Sequence, residues 1–142
     1  MDREILFRGK RIDNGEWMEG YVSKYFDGFK TATCIAWPTR ETITGSLCYD
    51  VDPATVGQYT GLTDKNGKKI FEGDIVLLTY KSEEGTDTER VEVRYHTTWL
   101  KWVITNEKDE PGYYFEDFGE CDTSEIEVIG NIHDNPELLE GE

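Results

Sequence analysis

The sequence predicts a mostly β protein: an N-terminal β-rich part, then a small SH3-like β-barrel, with short helical turns only. Three observations carry this. No window of a dozen residues holds an apolar stripe at three-and-four spacing, the mark of an amphipathic helix. Short β-branched and aromatic runs recur instead, separated by Gly, Asn, Asp and Pro. Aromatic residues also make up 13% of the 142 residues, enough ring area to build a core in a chain this polar.

"EILFRGK" and "EWMEGYVSKY" flank "RIDNG", whose Asn14-Gly15 pair suits a turn needing positive φ. "FKTATCIAW" reads as a strand stopped by Pro38, and "ETITGSLCYDV" as a shorter pair broken at Gly45. Residues 1–50 form the N-terminal part. In "DPATVGQY", Asp52 can accept from orphan amides while Pro53 suits a first helical position, predicting a short helical turn. Residues 51–70 are this connecting turn and a loop, with Gly67 at the tight point of "DKNGKK".

Residues 71–142 form the barrel. Five strand-like runs follow one another: "DIVLLTY", "ERVEVRYH", "TWLKWVITN", "YYFEDF" and "EIEVIGNI". Val91, Val93 and Tyr95 alternate with Glu92, Arg94 and His96, as in a half-buried strand. Closing these strands on themselves would hide their edges. Asn135 and Pro136 open a last helical turn, which Leu138 and Leu139 would pin to the barrel.

The net charge of −15 is unevenly spread. Met1 to Lys81 carries 12 acids and 11 bases, whereas Ser82 to Glu142 carries 18 acids and 4 bases. An acidic surface repels phosphate backbones and argues against direct nucleic-acid binding. It fits a protein partner with a basic surface, or simple solubility. No apolar run approaches membrane-spanning length, so no membrane partner is expected. Three cysteines, Cys34, Cys48 and Cys121, show no paired spacing. They point to a reduced, cytoplasmic protein, with Cys34 a small buried hydrophobe.

"VDPATVGQYTGLTDKNGKKIFEGDIV" and "EIEVIGNIHDNPELL" resemble the two signature segments of the YopX family, and "FRGKRIDNGEWMEGYV" resembles its opening. The resemblance implies a small protein of bacteriophages and prophages, mostly of Gram-positive hosts. It also implies a β-rich part joined to a barrel-like one. It supplies no activity and no catalytic residue.

The glycine-rich stretch from Thr55 to Val76 invites two ligand readings, and both fail. Five residues separate Gly61 from Gly67-Lys68, one more than a phosphate loop has, and Lys69 stands where Ser or Thr should bind magnesium. An EF-hand starting at Asp64 would place Lys68 at the fifth position and Lys69 at the obligatory glycine. The favoured reading is a structural joint: Gly57, Gly61, Gly67 and Gly73 bend the chain, Asp74 accepts from nearby amides, and Ile70 and Phe71 cover a barrel end. The competing reading has Tyr59, Glu72 and Asp74 line a small polar cleft between the two parts.

His96 and His133 sit in no triad or metal-ligand spacing, so no cofactor and no metal are expected. Carboxylate pairs such as Glu83-Glu84, Asp109-Glu110 and Glu116-Asp117 are too numerous to single out an acid–base couple. In "TWLKWV", Leu100, Trp102 and Ile104 form the more apolar face and should point to the core, leaving Trp99 either for a contact surface or to cover a barrel end. The residues favour a non-catalytic binding protein, and the resemblance implies a phage accessory role, the partner then being a host or phage protein with a basic surface. One alternative is an acidic mimic of nucleic acid that occupies a DNA-binding host enzyme. The other is a small hydrolase or ligand-binding enzyme. Spare sheet edges also fit a homo-oligomer, against the opposition of the net charge.

Overall fold

The computed structural model describes residues 4–36, 48–96, 101–105, 116–117 and 126–139. The chain divides into two compact units, Met1–Tyr59 and Thr60–Glu142. The protein is mostly β, built from antiparallel sheets.

In the first unit, β1 (Phe7–Lys10) and β2 (Trp17–Phe26) form the hairpin expected at Asn14-Gly15. Gly15 has φ +73, its N–H donates to Arg11 O, and Asn14 Oδ1 accepts from Glu16 N at 2.9 Å. β2 changes partner midway. Its first four residues pair with β1, from Lys10↔Trp17 to Phe7↔Gly20. From Tyr21 to Phe26 it pairs instead with β3 (Thr31–Ala36), which pairs in turn with β4 (Cys48–Asp50).

Gly20 sits where the partner changes, and a Cβ there would collide with the Ala36 carbonyl, so only glycine fits. Ile35 and Val51 are buried beneath this sheet. Pro38 and Gly45 lie outside the described residues.

The cysteines correct one expectation. Cys34 and Cys48 are joined by a disulfide, with Cα atoms 5.9 Å apart. The register pairs Cys34 with Asp50 and Ala36 with Cys48, which sets the two cysteines diagonally on one face of adjacent strands. A sequence separation of 14 gives no hint of this, because the register of the pairing creates the proximity. The cysteine argument for a reducing compartment therefore lapses.

Asp52 and Pro53 start a 3-10 turn over Pro53–Thr55, with Asp52 Oδ1 accepting from Ala54 N at 3.0 Å. The turn ends at once. β5 (Gly57–Thr63) occupies the middle of the segment expected to be turn and loop, and its start pairs with β1 through Phe7↔Gln58 and Arg8↔Gly57.

In the second unit, β6 (Lys69–Phe71) lies beside β5. The five later runs become β7 (Asp74–Ser82), β8 (Gly85–His96), β9 (Lys101–Thr105), β10 (Glu116–Asp117) and β11 (Ile126–Asn131). All five strands were expected; their closure into an SH3-like barrel is not what forms. The sheet is open, in the order β10-β9-β8-β7-β11, and among the described residues its outer strands pair only inward.

The reason is the length of the central pair. β7 and β8 hold together to their tip at Ser82↔Gly85, whereas β11 joins only Asp74–Leu78 and β9 only Glu92–His96. Among the described residues the distal half is thus a two-stranded ribbon, with no third strand paired to it.

One face of the sheet carries Val76, Val91, Val93, Ile104 and Ile126, buried together with Ile70. Leu62, Leu78, Trp102 and Val128 pack against them, so Trp102 and Ile104 face the core as expected. Each fully buried Val or Ile contributes about 2 kcal/mol, which makes this cluster the main support of the unit. Ile70 is part of this cluster, where the sequence suggested a lid on a barrel end. Val103, on the opposite face of β9, is buried as well. Tyr95 meets Trp102 edge-on at 5.1 Å.

A register shift between Val128 and Gly130 lets the final 3-10 turn, Pro136–Leu139, close over β11. Asn135 and Leu138 press on Gly130 there, and Arg90 reaches Leu138 O at 3.3 Å. No helix among the described residues is long and apolar enough to cross a membrane.

Candidate functional site

Within the stretch from Thr55 to Val76, four polar side chains, Thr55, Thr60, Asp64 and Asp74, turn inward. Thr55 Oγ1 accepts from Lys10 N at 2.9 Å and donates to Asp52 O at 2.6 Å. Thr60 Oγ1, buried on β5, donates to Ile70 O at 2.8 Å and ties β5 to β6.

Asp64 is only 6% exposed, and its carboxylate accepts three backbone N–H groups. Oδ1 takes Asn66 N at 2.8 Å and Lys68 N at 2.9 Å; Oδ2 takes Val128 N at 2.9 Å. The first two close the Asp64–Lys68 turn, where Gly67 has φ +82, and the third fastens that turn to β11. Burial alone raises the carboxyl's pKa, but the amides of Val128, Lys68 and Asn66 outweigh it and hold the group below its ordinary value. The residue that would have begun a calcium loop is a backbone clamp.

Asp74 does what the joint reading expected. It is buried at the start of β7, and its Oδ2 accepts from Phe71 N at 2.7 Å across the Glu72-Gly73 turn. Gly73, at φ +91, donates to Val93 O and accepts from Ile132 N, both at 2.9 Å. Glu72 is half-buried in the same turn. Tyr59 is 7% exposed and lies in the first unit, at the middle of β5, where its N–H donates to Leu6 O at 2.7 Å. Trp99 lies outside the described residues. Glu72 and Asp74 are thus brought together in one turn, and Tyr59 is placed on a different element.

At the C-terminal turn, Asn131 Oδ1 accepts from both His133 N and Asp134 N at 2.9 Å, so that turn is also held from within. Among the described residues, no group of three or more His, Cys, Asp or Glu is placed to hold a metal ion.

Two hairpins group exposed side chains of one kind. At the tip of β7–β8, Glu83, Glu84 and Asp87 are exposed within five residues. At the tip of β2–β3, Phe29 is 94% exposed and Phe26 69%, with Tyr21 and Tyr25 also outward. Asp27 Oδ1 caps that tip by accepting from Phe29 N and Lys30 N at 2.9 Å, which lowers its pKa.

Sequence reasoning passed over these aromatics. The signal was there in "YVSKYFDGF": aromatic residues fall on both faces of a strand, which a half-buried strand does not tolerate. Tyr25 OH donates to Asp50 Oδ1 at 2.7 Å, and that bond raises the phenol's pKa.

Comparison with known proteins supplies a family. The family described as YopX protein matches residues 6–140. No curated protein matches the chain. The crystal structure of protein EF1440 from Enterococcus faecalis is similar at a TM-score of 0.55 and 26% identity, over 98% of this chain and 100% of that one. With nearly its whole length matched by the family and the same β-rich architecture on the page, the chain belongs to the YopX family.

Proposed function

We propose that this protein is a non-catalytic interaction module of a phage or prophage, and that its acidic second unit docks on a basic surface of a host or phage protein. The observation that carries this reading is the contrast between two sets of carboxylates. Those in the glycine-rich stretch, Asp64 and Asp74, are buried and bonded to backbone amides, leaving them no part in turnover. Those at the β7–β8 tip, Glu83, Glu84 and Asp87, stand exposed on a ribbon within the segment that carries 18 acids and 4 bases. Charge presented on a projecting hairpin favours fast, salt-sensitive recognition of an opposite surface.

Capture of partners from infected-host lysate at low and at high salt tests this. The triple variant Glu83→Gln, Glu84→Gln, Asp87→Asn should retain the fold and lose the salt-sensitive partner. A partner retained equally by both proteins at both salt levels would remove the acidic hairpin from the account.

A further inference from the structure

The β2–β3 arm carries an unusual edge. Asp27 N–H donates to Lys30 O at 3.1 Å, closing the arm. Because backbone groups alternate sides along an antiparallel strand, Tyr21, Ser23 and Tyr25 then turn their N–H and C=O toward β3. On the other side, Arg11 N–H donates to Glu16 O at 2.9 Å, so the even-numbered residues of β2 turn toward β1. But β1 ends its pairing at Phe7↔Gly20. The backbone groups of Val22, Lys24 and Phe26 therefore face outward with no strand beside them among the described residues. Tyr21 and Ser23 through Phe26 are exposed as well.

We propose that this edge pairs antiparallel with the same edge of a second copy, across a two-fold axis at Ser23. Geometry restricts the register. Only even-numbered residues offer hydrogen bonds, so even must face even across the axis. Centring on Lys24 would set two ammonium groups directly opposite, which is unfavourable. Centring on Val22 would need the edge of Gly20, which β1 already holds.

Centring on Ser23 sets Val22 against Lys24 of the other copy, with four ladder hydrogen bonds from the two pairs. It also sets Tyr21 beside the other copy's Tyr25 on one face, and aromatic pairs of this kind stabilise sheets. The contrast with β7–β8 is telling: that ribbon lines its tip with acids, a device that blocks edge pairing, and this one lines its tip with rings. The unit that would make the contact is also nearly neutral, with nine acids and seven bases from Met1 to Tyr59.

Two measurements decide it, and both are independent of any partner of the acidic hairpin. In the wild type, the amides of Val22 and Lys24 should exchange with solvent more slowly as concentration rises, while sedimentation shows a dimer. Salt should tighten that dimer, since two copies at −15 each repel. The substitution Lys24→Pro removes an N–H that no strand among the described residues uses. It should leave the circular dichroism spectrum unchanged and weaken the dimer at least about thirtyfold, from two lost hydrogen bonds at the two-fold. A wild type that stays monomeric, protection at these amides that ignores concentration, or a Lys24→Pro protein that remains equally dimeric would each overturn the proposal. If Lys24→Pro does not fold, the exchange measurement on the wild type decides alone.

Discussion

Asp64 shows how one side chain can hold two distant segments. Its oxygens join Asn66 and Lys68 in one turn to Val128, 64 positions along the chain. Hydrogen bonds to a charged acceptor contribute more than neutral ones, so Asp64→Ala should lower the unfolding free energy by about 2–3 kcal/mol in urea titration. Asp64→Asn should cost less, because one amide oxygen can still accept from Asn66 and Lys68 while its NH₂ faces the Val128 N–H. The pH dependence has a definite sign. The folded carboxyl lies below its ordinary value near 3.8, so its stabilising effect is complete above that pH and disappears as pH falls through the folded value. The gap in urea midpoint between wild type and Asp64→Asn should therefore narrow in acid. An unchanged gap at pH 3 would mean that the amides do not hold the charge.

Elements divide by how local their causes are. The Asn14-Gly15 hairpin, the Asp52-Pro53 turn and the turn at Gly67 were all legible, because each is set by residues within four positions of one another. The five later strands were legible from alternation. Closure was not, since it depends on how far β7 and β8 outrun β9 and β11, a matter of register that local patterning does not encode. The Cys34–Cys48 bond escaped for the same reason. Its reduction should cost about 3 kcal/mol, the entropy of opening a loop of this size, and a thiol assay of the unreduced protein should find one reactive cysteine of three. Gly20 is the tightest point of the arm. Gly20→Ala must push the Ala36 carbonyl aside, so a loss of about 1–3 kcal/mol is expected, read from the thermal midpoint.

For the molecule as a whole, charge separates two kinds of association by their response to salt. Docking of the acidic hairpin on a basic partner should weaken as salt rises, while pairing of two like-charged copies should strengthen. A salt series on the purified protein, and then on its complex, should trend in opposite directions. In the glycine-rich stretch the amide-accepting role of Asp74 was legible in sequence, but the clamp of Asp64 onto Val128 was not, because it depends on how distant segments assemble. The position of β5 has a practical consequence. Its seven residues, Gly57 to Thr63, include both Tyr59 and Thr60, so the boundary between the two units falls inside a strand. A protease entering at Tyr59–Thr60 would find no slack to grip, and an expression fragment trimmed there would inherit half a strand. Dissection into separately produced halves should begin from overlapping pieces that each keep β5 whole.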